Sequence, residues 1–351
     1  MPTAPQIFRD LGIELPLVQA PMAGSMDAEL VIASCRAGAM GSLPCAMLDS
    51  AQITAEVEKI RAATDKPFNL NFFSHQEPVL RQQDFDGWRE TLAPYFHEAG
   101  VDAPTGIPAP GRQPFDEEKC RVVEALKPPV VSFHFGLPEE ELLDRVKATG
   151  ALVFSSATTV EEAAWLAERG VDAVIAQGVE AGGHRGMFLT TDISNQPRTE
   201  ALLPAVREAV NLPVIAAGGI ANRSGADAAF AMGADVVQVG TAFLFCNEAS
   251  PAGYHLEALT GVEPVSTALT NLFSGRPARG MINQLMADIG PMNNSAPPFP
   301  MAGSDLAPLK QANVMPARDL SPLWCGENGE SSRIYRGKSA AEICRNLMGL
   351  D

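Results

Sequence analysis

The chain has 351 residues, of which 46% are hydrophobic and 19% are charged, a balance typical of a compact globular protein rather than a disordered one. This length allows one large domain with an insertion or a small second domain. The formal net charge of −16 argues against nucleic acid or an anionic membrane surface as a partner, so an anionic substrate would need local positive charge.

The beginning of the chain and its cysteines indicate a reducing compartment. Arg9, Asp10 and Glu14 stand where a secretory signal needs an apolar stretch, and no segment approaches the roughly 20 apolar residues that span a bilayer. The six cysteines are scattered, without a C-x-x-C pair or a histidine at zinc-ligand spacing. We expect reduced thiols, no metal site, no membrane segment and a cytoplasmic location.

Up to about residue 250, short apolar runs alternate with longer amphipathic ones, a pattern typical of buried parallel strands linked by helices. Strands are predicted at residues 17–20, 41–45, 68–73, 130–135, 152–156, 173–177, 213–217 and 236–240. Helices are predicted at residues 28–37, 50–63, 117–126, 139–148, 160–169, 202–210 and 224–232. A doubly wound sheet could use the same alternation. Eight strands without an obvious switch point favour a closed barrel of the α/β class, the TIM (β/α)8 barrel.

Two stretches interrupt this alternation. Residues 74–114 contain a helical pattern and then a Pro- and Gly-rich run, which predicts an insertion over the barrel mouth. From residue 251 the pattern predicts a helix, an extended piece near 264–273, a helix near 277–288, a Pro-rich turn at 291–300 and helices near 306–314 and 340–348. We therefore expect a barrel at residues 1–250, a smaller cap domain at 251–321 and a C-terminal segment at 322–351 that returns to the barrel.

Two glycine turns follow the last two predicted strands, AAGGI at residues 216–220 and QVGTAF at residues 238–243. Phosphate commonly binds at these turns of a closed barrel, through backbone N–H groups. Gly218, Gly219, Gly240 and Thr241 are therefore candidate ligands of a phosphorylated cofactor, and Thr241 adds a hydroxyl. Tight turns without a ligand would give the same pattern.

The stretch QGVEAGGHRG at residues 177–186 places His184 behind Gly182 and Gly183, directly after the sixth predicted strand. Glycine lets a backbone approach a flat ligand closely, and a histidine on such a loop titrates near neutrality. His184 is therefore the candidate reactive group. A solvated loop histidine is the alternative.

The other histidines and one arginine are assigned by their neighbours. His134 ends the fourth predicted strand and should face the same mouth, where it could bind substrate. His75, His97 and His255 are expected to be structural or solvent-facing. Arg185 is expected to lie on the surface.

Further residues at strand ends are expected beside a ring system. Pro21, Met22 and Ala23 follow the first predicted strand. Buried amides occur in three further strands, and they are Asn69, Asn71, Gln177 and Gln238. A buried amide needs a partner, which a heteroaromatic ring with carbonyl and N–H edges provides. Any one amide could bond to backbone instead, but four that converge favour a ring.

Six segments resemble the nitronate monooxygenase family, formerly called 2-nitropropane dioxygenases, in its FMN-dependent class I. They are VQAPMAG (18–24), NLNFF (69–73), QGVEAGGHRG (177–186), VIAAGGI (214–220), GADVVQVGTAF (233–243) and TNLFSGRPARG (270–280). Flavin-dependent enoyl-acyl carrier protein reductases and NADH:quinone reductases share the glycine motifs. QAPMAG, NFF and SGRPARG are the more specific signals.

The resemblance implies a TIM barrel that holds FMN non-covalently, with a cap domain and with His184 as the active-site base. The residues that would contact FMN by position are Met22, Asn71, Gln177, Gly182, Gly219, Gln238, Gly240 and Thr241. Relatives tend to place a tyrosine and a basic residue on the cap side of the pocket. This chain has Phe299 there, which we take as a substrate contact, and Lys310 further along.

The reaction implied by the resemblance is oxidation of an alkyl nitronate, such as propionate 3-nitronate, by O2 to a carbonyl compound and nitrite. The partners would be this small molecule, O2 and a second copy of the chain in a homodimer. Two alternatives stay open. One is NAD(P)H-dependent reduction of a quinone or an enoyl thioester, and the other is a non-catalytic flavin- or phosphate-binding protein.

Overall fold

The structure is a computed structural model that describes residues 3–109, 111–313 and 315–350. Val314, at the end of a predicted helix, and Pro110, in the predicted insertion, lie outside the described residues, as do both chain ends. Within the described part, no helix has the length and apolar character needed to cross a membrane. All six cysteines are buried and unpaired.

Eight parallel strands form a closed barrel, as predicted. The strands of the chain are β1 (Leu17–Gln19), β2 (Gly41–Pro44), β3 (Phe68–Phe73), β4 (Val130–His134), β5 (Leu152–Ala157), β6 (Ala173–Gln177), β7 (Gly183–His184), β8 (Val214–Ala217), β9 (Val236–Val239), β10 (Thr267–Thr270) and β11 (Ala278–Met281). The barrel runs in the order β1-β9-β8-β6-β5-β4-β3-β2. It closes between β1 and β2, where the Gln19 N–H donates to Met40 O over 2.9 Å.

Helices connect the strands and surround the barrel. They are α1 (Gln6–Asp10), α2 (Ala28–Arg36), α3 (Ser50–Ala63), α4 (Gln83–Ala99), α5 (Glu117–Leu126), α6 (Glu140–Ala148), α7 (Val160–Glu168), α8 (Thr199–Ala209), α9 (Arg223–Ala231), α10 (Gly253–Thr260), α11 (Gln284–Ile289), α12 (Ala307–Ala312) and α13 (Ala340–Met348). Side-chain hydrogen bonds cap the amino-terminal ends of several helices. At α3, Asp49 accepts from the Gln52 N–H while the Gln52 side chain accepts from the Asp49 N–H.

The amino-terminal segment closes the lower end of the barrel. Phe8 of α1, a helix absent from the sequence prediction, is fully buried and stacks on Phe154 of β5 with 5.6 Å between ring centroids. Val18, Val130 and Ile215 pack in the same apolar cluster. This end is therefore filled by side chains, and the opposite end, where the strands finish, is left for a site.

A second, three-stranded sheet stands above the barrel mouth, and it corrects the helix predicted near residues 277–288. Residues 278–281 form β11, which pairs antiparallel with both β10 and β7, and the helix α11 begins only at Gln284. The backbone of β11 lies close to the backbone at Leu323, because a Cβ at Gly280 would lie 3.0 Å from Leu323 O. The hydrogen bonds that β11 makes with β10 and β7 outweigh the helix propensity of residues 278–281.

The predicted insertion shares an apolar core with the region after residue 251. Trp88 and Leu92 of α4 pack in one cluster with Leu272, Leu285 and Leu309. The division of the chain into domains stays a prediction, but these contacts couple the insertion to the proposed cap.

One buried ion pair joins α4 to that region. Arg89 donates from Nε to Asp305 Oδ2 over 3.0 Å and from Nη2 to Asp305 Oδ1 over 3.3 Å. A third bond runs from Arg89 Nη2 to Gly106 O. Paired carboxylate and guanidinium groups fix both distance and angle, so this contact positions α4.

Asp305→Asn should lower the free energy of unfolding by about 3 kcal/mol, because it leaves the Arg89 guanidinium buried without its counter-charge. The matched control is Asp227→Asn, which breaks an exposed pair with Arg223 and should cost under about 1 kcal/mol. Urea denaturation of both variants measures the difference. Equal losses in the two would contradict a structural role for the buried pair.

Candidate active site

A cavity of about 1440 Å³, its open mouth included, lies at the carboxyl ends of the barrel strands. Residues at or directly after the ends of β1, β4, β6 and β8 line it, namely Ala20, His134, Gln177 and Ala217. This is the end at which TIM barrels carry their sites.

Most of the residues proposed from the sequence line this one cavity. They are Pro21, Met22, Ala23, Asn71, His134, Gln177, Gly182, Gly183, His184, Gly218, Gly219, Gln238, Gly240 and Thr241. They come from seven separate stretches of the chain, and the closed barrel brings their strand ends to one rim.

Asn69 does not line the cavity, which corrects its proposed cofactor contact. Its Nδ2 donates to Ser42 Oγ over 3.1 Å and to Ser132 Oγ over 2.8 Å, inside the barrel. Asn69 and Asn71 share one face of β3, but Asn69 lies two residues, or roughly 7 Å, deeper. Its amide therefore holds strands together.

Phe299 also lies outside the residues that line the cavity. Its ring packs against the imidazole of His184 with 5.4 Å between centroids and against that of His75 with 4.8 Å. Phe73 and Phe135 belong to the same aromatic cluster. Phe299 thus packs against the imidazole of His184, and the structure does not place it as a substrate contact.

His184 lies in a short strand rather than in a solvated loop. It is buried, and it pairs with Ala278 in the antiparallel ladder between β7 and β11. Gln177 clamps the segment, because its Nε2 donates to His184 O over 2.9 Å and its Oε1 accepts from the Gly186 N–H over 2.8 Å. The imidazole is therefore held in place through its own backbone.

The imidazole of His184 has one engaged nitrogen and one free nitrogen. Nε2 lies 2.9 Å from Ser274 Oγ, and Nδ1 has no hydrogen bond to any described residue. The Ser274 hydroxyl carries one hydrogen, which can go to Nε2 or to Arg276 O at 3.3 Å. In the first case Nδ1 carries a hydrogen and is a donor, and in the second Nδ1 is an acceptor. Both tautomers are therefore compatible with the contacts.

His134 has no nitrogen left for a substrate. Its Nε2 donates to His184 O over 3.1 Å, and its Nδ1 accepts from the Ser156 hydroxyl over 2.9 Å. It lines the cavity as predicted, but its polar atoms position the His184 segment. Its proposed role as a substrate ligand is not supported by these contacts.

Burial keeps the histidines of this region neutral. Burial, and after it the positive charge of Arg112, hold the pKa of His184 well below its ordinary value. Burial likewise lowers the pKa of His134, His75 and His255 to about 4. His75 and His255 are thus buried rather than solvent-facing, whereas His97 is exposed.

Arg185 is fully buried, which corrects the surface position expected for it. Its Nη1 donates to Gly178 O over 2.6 Å and its Nη2 to Gln177 O over 2.7 Å, and Gln196 Oε1 accepts a further bond. Burial lowers the pKa of Arg185 to about 10. The guanidinium ties the end of β6 to the next segment, so it is structural.

Glycine turns form another part of the cavity wall. Gly218 and Gly219 have φ angles of 115° and 75°, which disfavour any residue with a side chain. Among described residues, their N–H groups donate to no other backbone group. Gly326 N–H donates to Thr241 Oγ1 over 3.0 Å, and Asn328 Nδ2 donates to Gly219 O over 2.8 Å. These turns therefore offer free backbone donors, which suit an anion.

Comparison with known proteins identifies the family. The sequence model of the family described as nitronate monooxygenase matches residues 6–349. A nitronate monooxygenase of Paraburkholderia phytofirmans is 38% identical, with 96% of this chain and 92% of that protein covered. One of Pseudomonas aeruginosa is 36% identical, with 97% of each covered. The chain belongs to the nitronate monooxygenase family.

Solved structures of similar fold agree with this assignment. A nitroalkane oxidase from Streptomyces ansochromogenes has a TM-score of 0.87 and 36% identity, with 98% of this chain and 97% of that chain covered. FabK from Thermotoga maritima is further away, with a TM-score of 0.73 and 25% identity over 99% and 96% of the two chains. Nitronate monooxygenases are flavin-dependent oxidoreductases, so the chain is an enzyme of a flavoenzyme family.

The residues of the cavity fit a flavin cofactor. Gln238 lines the cavity, and its carboxamide has no hydrogen bond to a described residue, so it can bond to a ligand. A Cβ at Gly182 would lie 2.6 Å from the Gly326 nitrogen, which shows how closely two backbones approach there. The free N–H groups at the glycine turns are the donors that a phosphate needs.

Sequence reasoning missed several residues of the site. Arg112 comes from the loop after α4, and Trp324, Gly326, Asn328 and Gly329 come from the C-terminal return. The glycine pair in CGENG, residues 325–329, was the only local signal for the return loop. Nothing local to Arg112 indicated that its loop reaches the cavity.

Gly186→Ala should lower the free energy of unfolding by about 1–3 kcal/mol, because the added Cβ would lie 2.8 Å from His134 Cε1 and 3.0 Å from Ser156 Cβ. The control is Gly253→Ala at the start of α10, where a Cβ has no heavy atom within 4 Å. Thermal unfolding measures both. A Gly186→Ala variant as stable as the control would show that this contact is not tight.

Acidification should destabilise the protein between about pH 6.5 and pH 4. In this window the unfolded chain binds protons at His75, His134 and His255 that the folded chain does not bind, so stability is complete above pH 6.5 and falls as the pH drops. Each histidine should account for about 2 kcal/mol between pH 6.5 and 5.

Urea denaturation at pH 7 and pH 5 measures this loss, and His75→Phe should reduce it by about one histidine's share. His97→Phe, at an exposed position, is the matched control and should leave the loss as it is in the parent protein. An unchanged loss in His75→Phe would contradict a neutral, buried His75.

Proposed function

We propose that this chain oxidises alkyl nitronates with O2 to a carbonyl compound and nitrite, using FMN as the cofactor. The observation that carries the proposal is the geometry of His184, whose free Nδ1 belongs to a fixed imidazole in a cavity suited to a flavin. Family membership supports the reaction, and the phosphate-suited turns support FMN. A homodimer and a cytoplasmic location stay predictions from the sequence.

Different residues of the cavity would bind different parts of the cofactor. Backbone N–H groups at Gly218, Gly219 and Thr241 would hold the phosphate, while Gln238 and Asn71 would bond to the polar edges of the ring system. Met22 would supply apolar contact. When bound, FMN supplies the redox chemistry between substrate and O2.

The protein's own part is to bind and orient the nitronate and to exclude water. With the Ser274 hydrogen directed to Nε2, His184 presents Nδ1–H as a donor to a nitronate oxygen. Phe299 and Trp324 enclose the imidazole, with centroids 5.4 and 5.3 Å away, which limits access of water to this contact. The substrate would therefore lie between the cofactor ring and His184.

The lowered pKa of His184 favours preformed nitronates over neutral nitroalkanes. A nitroalkane must lose its α-proton, and a base with a pKa far below neutrality accepts that proton poorly. A nitronate has already lost it and needs only a hydrogen-bond donor. This difference is the physical reason for naming nitronates as the substrate class.

Anaerobic mixing of the FMN-loaded enzyme with propyl-1-nitronate should bleach the flavin absorbance, and NADH should not. In air the same substrate should yield nitrite. The related fold of FabK makes reduction by NADH the outcome to exclude, and bleaching by NADH alone would replace the proposal with a reductase. Bound flavin that neither compound bleaches would indicate a binding protein without this activity.

His184→Leu should lower kcat/KM for propyl-1-nitronate roughly 10- to 100-fold, because it removes a hydrogen bond to a charged group. His184→Asn, which can place an N–H near the position of Nδ1, should recover part of this loss. With neutral 1-nitropropane, turnover should be low already in the parent enzyme, because the imidazole of His184 accepts the α-proton poorly.

His97→Asn, at an exposed position, serves as the control, and FMN absorbance verifies that each variant binds cofactor. Nitronate turnover by His184→Leu at the level of the parent enzyme would remove His184 from the proposed mechanism.

A further inference from the structure

One permanent charge faces the cavity. Of the described residues that line it, Arg112 alone is a lysine, arginine, aspartate or glutamate. Its half-buried guanidinium has no hydrogen bond and no ion pair with any described residue. Removing a guanidinium from water without a partner is unfavourable, so this position suits an anionic group of a ligand.

Arg112 and His184 line the same cavity, and Arg112 lies near His184. The loop that carries it is fastened close by, because the Phe115 N–H donates to Phe73 O at the end of β3 over 2.7 Å. The charge of Arg112 has the largest effect on the pKa of His184 of any neighbouring charge, and it acts on His75 as well. The free N–H groups of Gly218 and Gly219 lie on different loops, so the cofactor phosphate has its own donors.

A second arginine adds positive potential near His184. Arg276 donates from Nη2 to Met187 O over 3.0 Å, and its guanidinium lies over the ring of Phe135, 4.3 Å from the centroid. The histidines nearby are neutral near pH 7, so Arg112 and Arg276 supply the positive charge here. A chain with a net charge of −16 needs such a local site to hold a doubly charged anion.

We propose that Arg112 determines substrate specificity by binding a second anionic group, a carboxylate, on the part of the substrate remote from the nitronate. This inference rests on the proposed nitronate oxidation. Planar guanidinium and carboxylate groups pair through two parallel hydrogen bonds, which adds orientation to affinity.

Two nitronates of matched length test the proposal, propionate 3-nitronate with a carboxylate and propyl-1-nitronate with a methyl group in its place. In the FMN-loaded Arg112→Gln variant, the loss of kcat/KM with propionate 3-nitronate should exceed the loss with propyl-1-nitronate about 10- to 100-fold, mainly through KM. Arg112→Lys should recover part of the difference.

Lys310→Gln is the matched control. It also removes one positive charge, and Lys310 does not line the cavity, so its two losses should be equal. Equal losses with both nitronates in Arg112→Gln would overturn the proposal, because they would place the guanidinium on the nitronate group or on the cofactor. A selective loss in Lys310→Gln instead would overturn it as well.

Succinate binding separates this proposal from the proposed reaction. Succinate matches propionate 3-nitronate in length and charge, and its binding is followed by the flavin absorbance of the loaded enzyme without turnover. Binding that weakens about tenfold or more in Arg112→Gln, but not in Lys310→Gln, supports the anion site even if no nitronate is oxidised. Binding equal in both variants and in the parent enzyme would overturn it.

Discussion

The clamp that the Gln177 carboxamide makes on residues 184–186 is the interaction on which the rest of the site depends. One amide bonds both His184 O and the Gly186 N–H, at the point where β6 leaves the barrel. Because both bonds go to backbone, the clamp fixes the direction of the imidazole without using its nitrogens. One nitrogen can then bond Ser274, and the other is left for chemistry.

Several features of the sequence follow from that clamp. Gly186 leaves room for the His134 ring, which donates to the same His184 carbonyl. Arg185 points away from the cavity and bonds the carbonyls of Gln177 and Gly178, so the segment is held on both sides. The motif QGVEAGGHRG is therefore a unit of structure around one functional side chain. The polar side chains of this unit can be buried together because each has at least one hydrogen-bond partner, and they are Gln177, His184, His134 and Arg185.

The cavity offers two kinds of groups to anions, and they lie on different loops. Uncharged backbone donors at the glycine turns suit a phosphate, and guanidinium groups near His184 suit a small anionic substrate. A strongly negative protein would need such local donors and charges to bind anionic ligands, because its general field repels anions. The second sheet connects His184 to the proposed cap, since β7 carries His184 and pairs with β11.

The sequence by itself determined the barrel, because strand and helix periods differ and eight repeats of that difference leave little choice of fold. It also predicted residues that line the cavity, such as His184, Gln177 and Gly219, since strand ends of a barrel meet at one rim. Only the tertiary structure decided which nitrogen of His184 is free, that Arg185 is buried and that Asn69 lies below the cavity. It alone brought Arg112 and Asn328 to the site. The position of Asn69 depends on depth along a strand, and the contacts of His184 with Ser274 and of Asn328 with Gly219 join residues 90 and 109 positions apart. No local pattern encodes either. The guanidinium of Arg185 bonds residues 7 to 11 positions away, but only the folded barrel shows that these partners are buried.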